Sequence, residues 1–247
     1  MQLWRDAYRL DGTSAEDTFT ATVPMDPLKQ VILNPEHFET AEEIGRGGMG
    51  AVFRARQLPL DRSVAYKVVR PDKRSSLGSS REFHVEALTN GRLEHPNIVP
   101  VYSYGVAPDT RDHYIAMKLV DGSHWKKILH GEKAGDLVFH IETLIQVCNA
   151  VAFAHSRKIV HLDLKPSNVM IGQFGEVLVL DWGLAVSIDT ENNLGLRHRS
   201  EITQPCGTPA YMPPELALGR AQSIGPATDV FLLGAILCEI LTGAPPH

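Results

Sequence analysis

The chain has 247 residues and a formal net charge of −5; 43% of its residues are hydrophobic and 21% are charged. This length and composition allow a sizeable core, which excludes collagen-like, mucin-like and wholly disordered proteins. The negative charge gives no basic footprint for nucleic acid or for an anionic membrane. Three widely spaced cysteines indicate neither a disulfide framework nor a zinc site, and we expect a reducing, cytoplasmic setting.

The first part of the chain reads as an extension followed by strands. Residues 1–37 are rich in Thr and Pro without a persistent period, and we predict that they are largely disordered. Short β-rich runs separated by turn residues then predict strands over 38–44, 51–56, 63–69, 101–106 and 113–119. One helix is predicted near 79–93, where Ser79 and Glu82 are spaced as a capping box.

After about residue 121 the pattern becomes helical. Apolar residues at helical spacing predict a helix over 136–156, followed by short strands near 169–171 and 177–180. A last apolar helix is predicted over 229–241, and this longest apolar stretch is too short to span a bilayer. The predicted class is α+β, with a small β-rich lobe followed by a mostly helical lobe.

Residues 45–50 read Gly-Arg-Gly-Gly-Met-Gly and fit the pattern G-x-G-x-x-G. The motif alone is weak, because unrelated folds use it. A dinucleotide-binding version needs a helix directly after the motif, whereas a strand is predicted here. The glycines then lie at the tip of a hairpin, where a backbone without Cβ atoms can approach phosphates and offer them N–H groups. A mobile hairpin without a ligand is the alternative.

A lysine and a glutamate are the next candidates. Lys67 shares one face of the third predicted strand with Ala65, so it is expected to be half-buried. Glu86 lies on one helix face with Phe83 and Ala87 and is the candidate partner carboxylate. The alternatives are a lysine that extends to solvent at a sheet edge and a solvated glutamate.

The most informative segment is residues 161–168, which read His-Leu-Asp-Leu-Lys-Pro-Ser-Asn. Pro166 disfavours a helix before it, so the segment is predicted to be a loop. Asp163 can accept a hydroxyl proton, Lys165 can neutralise a phosphoryl group and Asn168 can hold a metal. Asp181, in Asp-Trp-Gly after a predicted strand, is the second candidate metal ligand.

In order and spacing these segments resemble the protein kinase superfamily, specifically the eukaryotic-like serine/threonine kinases of bacteria. The resemblance runs from about residue 38 to 247 and includes Gly207-Thr208-Pro209 and Pro213-Pro214-Glu215. It implies a two-lobed protein-kinase-like fold. The expected parts are a small antiparallel lobe with one helix (38–117), a hinge (118–122) and a larger, mostly helical lobe (123–247) that is incomplete at its C-terminal end.

The resemblance also implies cofactors, roles and substrates. ATP and Mg²⁺ are the implied cofactors. Asp163 is implied to be the base, Lys165 to contact the γ-phosphate, and Lys67 to contact the α/β-phosphates while it pairs with Glu86. Asn168 and Asp181 are implied to hold the metal. The residues implied to surround ATP are Ile44, Gly45, Gly47, Gly48, Gly50, Val52, Ala65, Lys67, Met117, Val120 and Met170. Lys165 is typical of the members that phosphorylate Ser and Thr hydroxyls of protein substrates, and Thr208 is expected to bond Asp163 or Lys165.

The sequence departs from the family at several positions. Leu162 replaces an arginine, Trp182 replaces the phenylalanine of Asp-Phe-Gly, and Asn90 occupies a place that is normally apolar. Helices that the family has beyond 229–241 are absent, so we expect an exposed apolar surface there and self-association through it. The alternatives to an active protein kinase are an inactive kinase-like binding module and a small-molecule phosphotransferase. Lys165 and residues 207–215 argue against the phosphotransferase.

Overall fold

The computed structural model describes residues 38–46, 50–69, 77–107, 112–131, 133–189 and 195–247. Its first part is a five-stranded antiparallel sheet in the order β1-β2-β3-β5-β4. The strands are β1 (Phe38–Arg46), β2 (Gly50–Gln57), β3 (Arg62–Val69), β4 (Val101–Val106) and β5 (His113–Lys118). The five predicted strands are confirmed, whereas the predicted disorder of residues 1–37 lies outside the described residues.

The two faces of this sheet are both covered. On one face Tyr66 stacks on Tyr114 with ring centroids 5.0 Å apart, and Phe38 packs beside them. Helix α1 (Leu77–Gly91) covers the other face with Phe83 and Ala87. Helix α1 begins at Leu77, two residues before the predicted start, and the side chains of Ser79 and Glu82 that would form the capping box lie outside the described residues.

The second part of the chain is mostly helical. Its helices are α2 (Trp125–Leu129), α3 (Leu137–Ser156), α4 (Pro214–Ala217) and α5 (Pro226–Thr242), and its short strands are β6 (Gly122–His124), β7 (Ile159–Val160), β8 (Val169–Gly172), β9 (Val177–Val179) and β10 (Val186–Ser187). The predicted helix over 136–156 is confirmed as α3, and Asp136 caps it, since its Oδ1 accepts from the Phe139 N–H at 3.1 Å. Helices α3 and α5 pack through a core that includes Val151 and Ile236. The division at 118–122 stays a prediction.

The two parts are joined by more than the chain between them. Val99 N–H donates to the carbonyl of Val179 at 3.1 Å, and Val179 N–H donates to the carbonyl of Asn97 at 2.8 Å. The Asn97 side chain adds bonds to Gln146 and to the carbonyl of Val177. The segment before β4 is therefore fixed to β9 and α3, and these bonds attach the sheet to the helical part.

Helix α3 is the one helix among the described residues that is long and apolar enough to cross a membrane, with a mean hydropathy of 1.6. One face of α3, including Val147, Ala150 and Ala154, is packed in the core. These contacts are those of a core helix.

Helix α5 was predicted to be apolar nearly all round, and the structure gives it two different faces. Leu232, Ala235 and Ile236 are buried, whereas Val230, Phe231 and Leu241 are 60%, 38% and 62% exposed. We call these last three residues the α5 stripe. The predicted exposed apolar surface on this helix is therefore confirmed.

Candidate active site

The sheet brings a lysine and two carboxylates together. Lys67 Nζ lies 2.5 Å from Glu86 Oε1 and 3.9 Å from Asp181 Oδ1. Burial alone lowers the pKa of Lys67, but the two carboxylates outweigh it and the pKa is raised. Burial raises the pKa of Glu86, and Lys67 offsets this only in part. The lysine is thus held charged, with its ammonium directed toward Asp181.

Strand register explains which of the predicted ATP-lining residues come together. Val52 pairs with Lys67, and Ala65 pairs with Met117. Directly paired residues and residues two apart share one face of a sheet, so these four side chains line a common surface. Met170 lies on β8, and Val120 lies between β5 and β6.

The glycine-rich segment is only partly described. Ile44 and Gly45 lie in the last three residues of β1, and Gly50 begins β2. Gly47 and Gly48 lie outside the described residues. A Cβ at Gly50 would lie 2.6 Å from the carbonyl oxygen of Val68 and 3.3 Å from Lys67 Cγ. Only glycine fits there, because the backbone of β2 approaches β3 closely beside the lysine.

The predicted loop at 161–168 is confirmed and forms a closed hydrogen-bond network. Lys165 Nζ donates to Asp163 Oδ2 at 2.7 Å and to Thr208 Oγ1 at 2.6 Å. Thr208 Oγ1 in turn donates to Asp163 Oδ1 at 2.7 Å. The expected contact of Thr208 is thus present with both residues, and Asp163 is held by both of its oxygens.

Asn168 and Asp181 provide a donor set that suits Mg²⁺. Asn168 Nδ2 donates to the carbonyl and to Oδ2 of Asp163, which fixes the amide and leaves its Oδ1 directed away from Asp163. The Asp181 side chain is 52% exposed. Among the residues that the structure describes, no cluster of three His, Cys, Asp or Glu side chains is suited to a metal. Mg²⁺ typically uses one or two protein oxygens plus phosphate, so these two residues fit it.

Comparisons with known proteins agree with this geometry. The family profile described as “Protein kinase domain” matches residues 38–247. The chain belongs to the protein kinase family. This kinase domain is 36% identical over 237 residues to “Serine/threonine-protein kinase PknD” of Protochlamydia amoebophila, covering 87% of this chain and 24% of the relative.

Two further relatives carry similar names. “Serine/threonine-protein kinase PknB” of Mycobacterium tuberculosis is 38% identical over 213 residues, covering 85% of this chain and 33% of the relative. “Serine/threonine-protein kinase pkn3” of Myxococcus xanthus is 37% identical over 207 residues, covering 82% of this chain and 37% of the relative. The resemblance to bacterial serine/threonine kinases and the α+β, two-lobed fold class are confirmed. The chain spans about a quarter to a third of the length of these relatives.

One functional residue of the kinase domain was missed by sequence reasoning. Asp229 is fully buried, and its carboxylate accepts from the N–H of His161 at 2.9 Å and of Leu162 at 3.0 Å. His155 Nε2 lies 2.8 Å from the same carboxylate. The available signal was an acidic residue inside a mostly apolar helix, because burial of a charge requires partners.

His161 connects the loop to Asp-Trp-Gly. Its Nδ1 accepts from the N–H of Asp163 at 3.2 Å, so Nε2 carries the proton and donates to the carbonyl of Leu180 at 3.1 Å. The ring packs on Trp182 with centroids 4.6 Å apart. The bonds from Asp229 therefore fix His161, and His161 in turn contacts the residue that follows Asp181.

A second buried carboxylate positions the segment after Thr208. Tyr211 Oη donates to Glu239 Oε2 at 2.5 Å, and His130 Nε2 lies 2.8 Å from Glu239 Oε1. Burial and the neighbouring carboxylate raise the pKa of Tyr211, which keeps the phenol protonated as a donor. The Pro209–Tyr211 turn is thereby tied to α5. Sequence reasoning did not identify this contact either.

Leu162, which replaces an arginine of the family, has no charge-pairing role here. It is fully buried with φ 70° and packs in an apolar cluster. The other buried members of this cluster are Val160, Val186, Ile202, Leu216 and Ile224. The cluster joins residues 161–168, which we call the catalytic loop after the role that the sequence predicts, to the chain that leads into α4 and α5.

Replacing Asp229 with alanine tests the anchoring of the catalytic loop. The change removes the acceptor for two buried N–H groups, so Asp229→Ala is expected to lower the free energy of unfolding by about 3–5 kcal/mol. The exposed Glu142 on α3 provides the control, and Glu142→Ala should change it by less than about 0.5 kcal/mol. Denaturant unfolding of the three proteins measures both values, and equal stabilities would contradict the anchoring role.

Proposed function

We propose that this kinase domain transfers the γ-phosphate of ATP to Ser and Thr hydroxyls of protein substrates. The observation that carries the proposal is the closed network of Asp163, Lys165 and Thr208. Asn168 bonds both Asp163 and the backbone of Leu180, and so joins this network to Asp181, which approaches the Lys67–Glu86 pair. The family and the names of its relatives support the same reaction.

Each polar group has a distinct task in this proposal. Asp163 accepts the hydroxyl proton of the substrate, because its carboxylate is positioned by Lys165 and Thr208. Lys165 offers positive charge to the transferring phosphoryl group, and Lys67 offers it to the other phosphates. Asn168 and Asp181 would hold Mg²⁺, which supplies neutralisation of phosphate charge. Positioning and charge stabilisation account for most of the rate in this chemistry.

The alternatives receive less support from the geometry. An inactive binding module would not need Asp163 to be held by hydrogen bonds to both of its carboxylate oxygens. A small-molecule phosphotransferase would not need Thr208, which lies next to the Pro209–Tyr211 turn that Glu239 fixes. Both features favour a protein hydroxyl as the acceptor.

Phosphate transfer from γ-labelled ATP to a generic basic protein tests the proposal. Asp163→Asn removes the base, so transfer should fall by about 10²-fold or more. The matched control Glu142→Gln, an exposed acid-to-amide change on α3, should leave it unchanged. No transfer by the unaltered chain, or label found only in small alcohol acceptors, would contradict the proposal.

The metal assignment has its own test in ligand-induced stabilisation. Mg²⁺ with ATP is expected to raise the Tm of the chain, because a ligand that binds only the folded state stabilises it. Asp181→Ala should abolish most of this shift, while Glu142→Ala should retain it. A full shift in Asp181→Ala would show that the carboxylate does not hold the metal.

The apolar cluster around Leu162 also suggests how the kinase domain is regulated. An aliphatic side chain cannot form a charge-assisted pair with a phosphate on the segment before Thr208. Ile202, which belongs to that segment, is instead fully packed against the loop. We propose that this segment is ordered by apolar packing and needs no phosphate. Thr190, a further hydroxyl residue of the same segment that could carry a phosphate, lies outside the described residues.

Phosphatase treatment and substitution test this regulation. Dephosphorylation, Ser200→Ala and Thr203→Ala are each expected to leave phosphate transfer within about twofold of the unaltered chain. Leu162→Ala should instead lower the free energy of unfolding by about 2–5 kcal/mol, because it leaves a cavity in a fully buried cluster. A loss of about tenfold on dephosphorylation, reproduced by either alanine variant, would overturn the idea.

We further propose that the 247-residue chain self-associates through the α5 stripe. Val230, Phe231 and Leu241 are apolar and exposed, and Val230 and Leu241 lie on the same side of α5, three turns apart. Size-exclusion chromatography should give an apparent mass above the 27.2 kDa of one chain. The double variant Phe231→Lys/Leu241→Lys should elute as a monomer, whereas Val138→Lys on the exposed side of α3 should not. A monomeric unaltered chain would contradict this proposal.

A further inference from the structure

Two lysines on α2 have no partner for their charge. Lys126 and Lys127 are exposed, whereas Trp125 and Leu129 of the same helix are buried in the core. Within the part of the chain that the structure describes, neither lysine side chain forms an ion pair or a hydrogen bond. We call Lys126 and Lys127 the α2 lysine pair. Because no internal bond has to break first, this pair is available to an anionic partner.

The described acidic residues near α2 are each held by another partner. Asp121 accepts from Gln173 Nε2 at 3.1 Å, and Asp136 caps α3. Glu239 is buried, and both of its carboxylate oxygens are engaged, by His130 and by a tyrosine hydroxyl. Helix α2 therefore presents two positive charges that these carboxylates do not pair with.

The α2 lysine pair borders the catalytic loop. Helix α2 packs against Pro166–Asn168, the last turn of this loop. The N–H of His130 donates to the carbonyl of Lys126 at 3.2 Å, so His130 continues the helical turn. At about 100° per residue, His130 lies between the two lysines around the helix axis. The contacts of His130 therefore show what lies on the side of α2 that carries the lysines.

The His130 side chain is directed toward the turn that follows Thr208. Its Nε2 lies 2.8 Å from Glu239 Oε1, and Glu239 Oε2 accepts from Tyr211 Oη. Tyr211 belongs to the Pro209–Tyr211 turn, which begins directly after Thr208, and Thr208 bonds Asp163. The α2 lysine pair is thus on the side of the helix that faces the segment beside the proposed base.

A further positive charge lies close to Asp163. Burial raises the pKa of the Cys206 thiol, the charge of Arg197 lowers it, and the charge of Asp163 raises it. Both charged groups therefore lie near Cys206, which precedes Thr208 by two residues. Arg197 forms no ion pair within the described ranges. The surroundings of the acceptor position thus carry more than one unpaired cation.

We propose that Lys126 and Lys127 bind acidic residues that flank the acceptor Ser or Thr, so that this kinase domain selects acidic protein substrates. The inference rests on the proposed phosphate transfer and adds the substrate class to it. Exposed lysines recognise carboxylates mainly through charge, so the effect belongs to substrate binding and is screened by salt. The lysines act on KM and take no part in the transfer itself.

Three peptides test this selection. Each has one Thr, and they differ only in the residues on both sides of it, which are Glu, Gln or Lys. The unaltered chain should give a kcat/KM for the Glu peptide about tenfold above that for the Gln peptide, and the Lys peptide should be the poorest. At about 0.5 M salt the preference should largely disappear. Equal kcat/KM values for the three peptides at low salt would overturn the proposal.

Charge reversal assigns the preference to α2. Lys126→Glu/Lys127→Glu should raise KM for the Glu peptide about tenfold, lower KM for the Lys peptide, and leave kcat unchanged. The control is Lys158→Glu, because Lys158 is exposed at the far end of α3, a helix of 20 residues that is about 30 Å long. This control should retain the preference of the unaltered chain. A preference that survives reversal of the α2 lysine pair would contradict its role.

A binding measurement separates this inference from the proposed function. Fluorescence anisotropy of a labelled Glu peptide with Ala in place of Thr should show binding that Lys126→Glu/Lys127→Glu weakens about tenfold. Binding that does not respond to the reversal would overturn the inference whether or not transfer occurs. Transfer to all three peptides at equal kcat/KM would overturn it and leave the function standing. No transfer to any peptide, with charge-dependent binding intact, would refute the function and leave the α2 lysine pair as a binding surface.

Discussion

The bonds from the buried carboxylate of Asp229 to the catalytic loop are the constraint on which the site depends. A fully buried carboxylate is unfavourable unless its oxygens are bonded, and here they accept from the His161 and Leu162 N–H groups. These bonds hold the backbone where Leu162 adopts a φ of 70°, a conformation that is uncommon outside glycine. The loop is therefore attached to the central helix of the larger part through its backbone, leaving its side chains available for chemistry.

The other polar groups of the site are positioned by contacts that begin at this anchored loop. His161 contacts Trp182, and the carbonyl of Leu180 accepts from its ring, so Asp181 lies between two residues that His161 touches. Asp163 bonds Lys165 and Thr208, and Asp181 approaches Lys67 across the cleft. Charges that are fixed before the reaction need little reorganisation during it, which is how such sites accelerate phosphoryl transfer. The same logic makes α1 important, because Glu86 holds Lys67 in place.

Much of this arrangement could be predicted from the sequence, and the limits have physical causes. The five sheet strands follow from β-rich runs that are separated by turn residues, and the pairing of Lys67 with Glu86 follows from the faces that a strand and a helix present. Asp229 was missed because its partners lie 67 and 68 residues earlier, a distance that no local pattern reports. The bonds of Glu239 to Tyr211 and His130 were missed for the same reason, because His130 and Glu239 are 109 residues apart in sequence.

Amide hydrogen exchange of His161 and Leu162 is the most direct measurement of the central claim. If Asp229 holds the loop through these two N–H groups, both amides should exchange as slowly as those in the middle of α5, and only through global unfolding. In Asp229→Ala both amides should exchange at rates typical of loops. The core amides of β3 should still exchange only through global unfolding of that variant. Fast exchange of His161 and Leu162 in the unaltered chain would contradict the account.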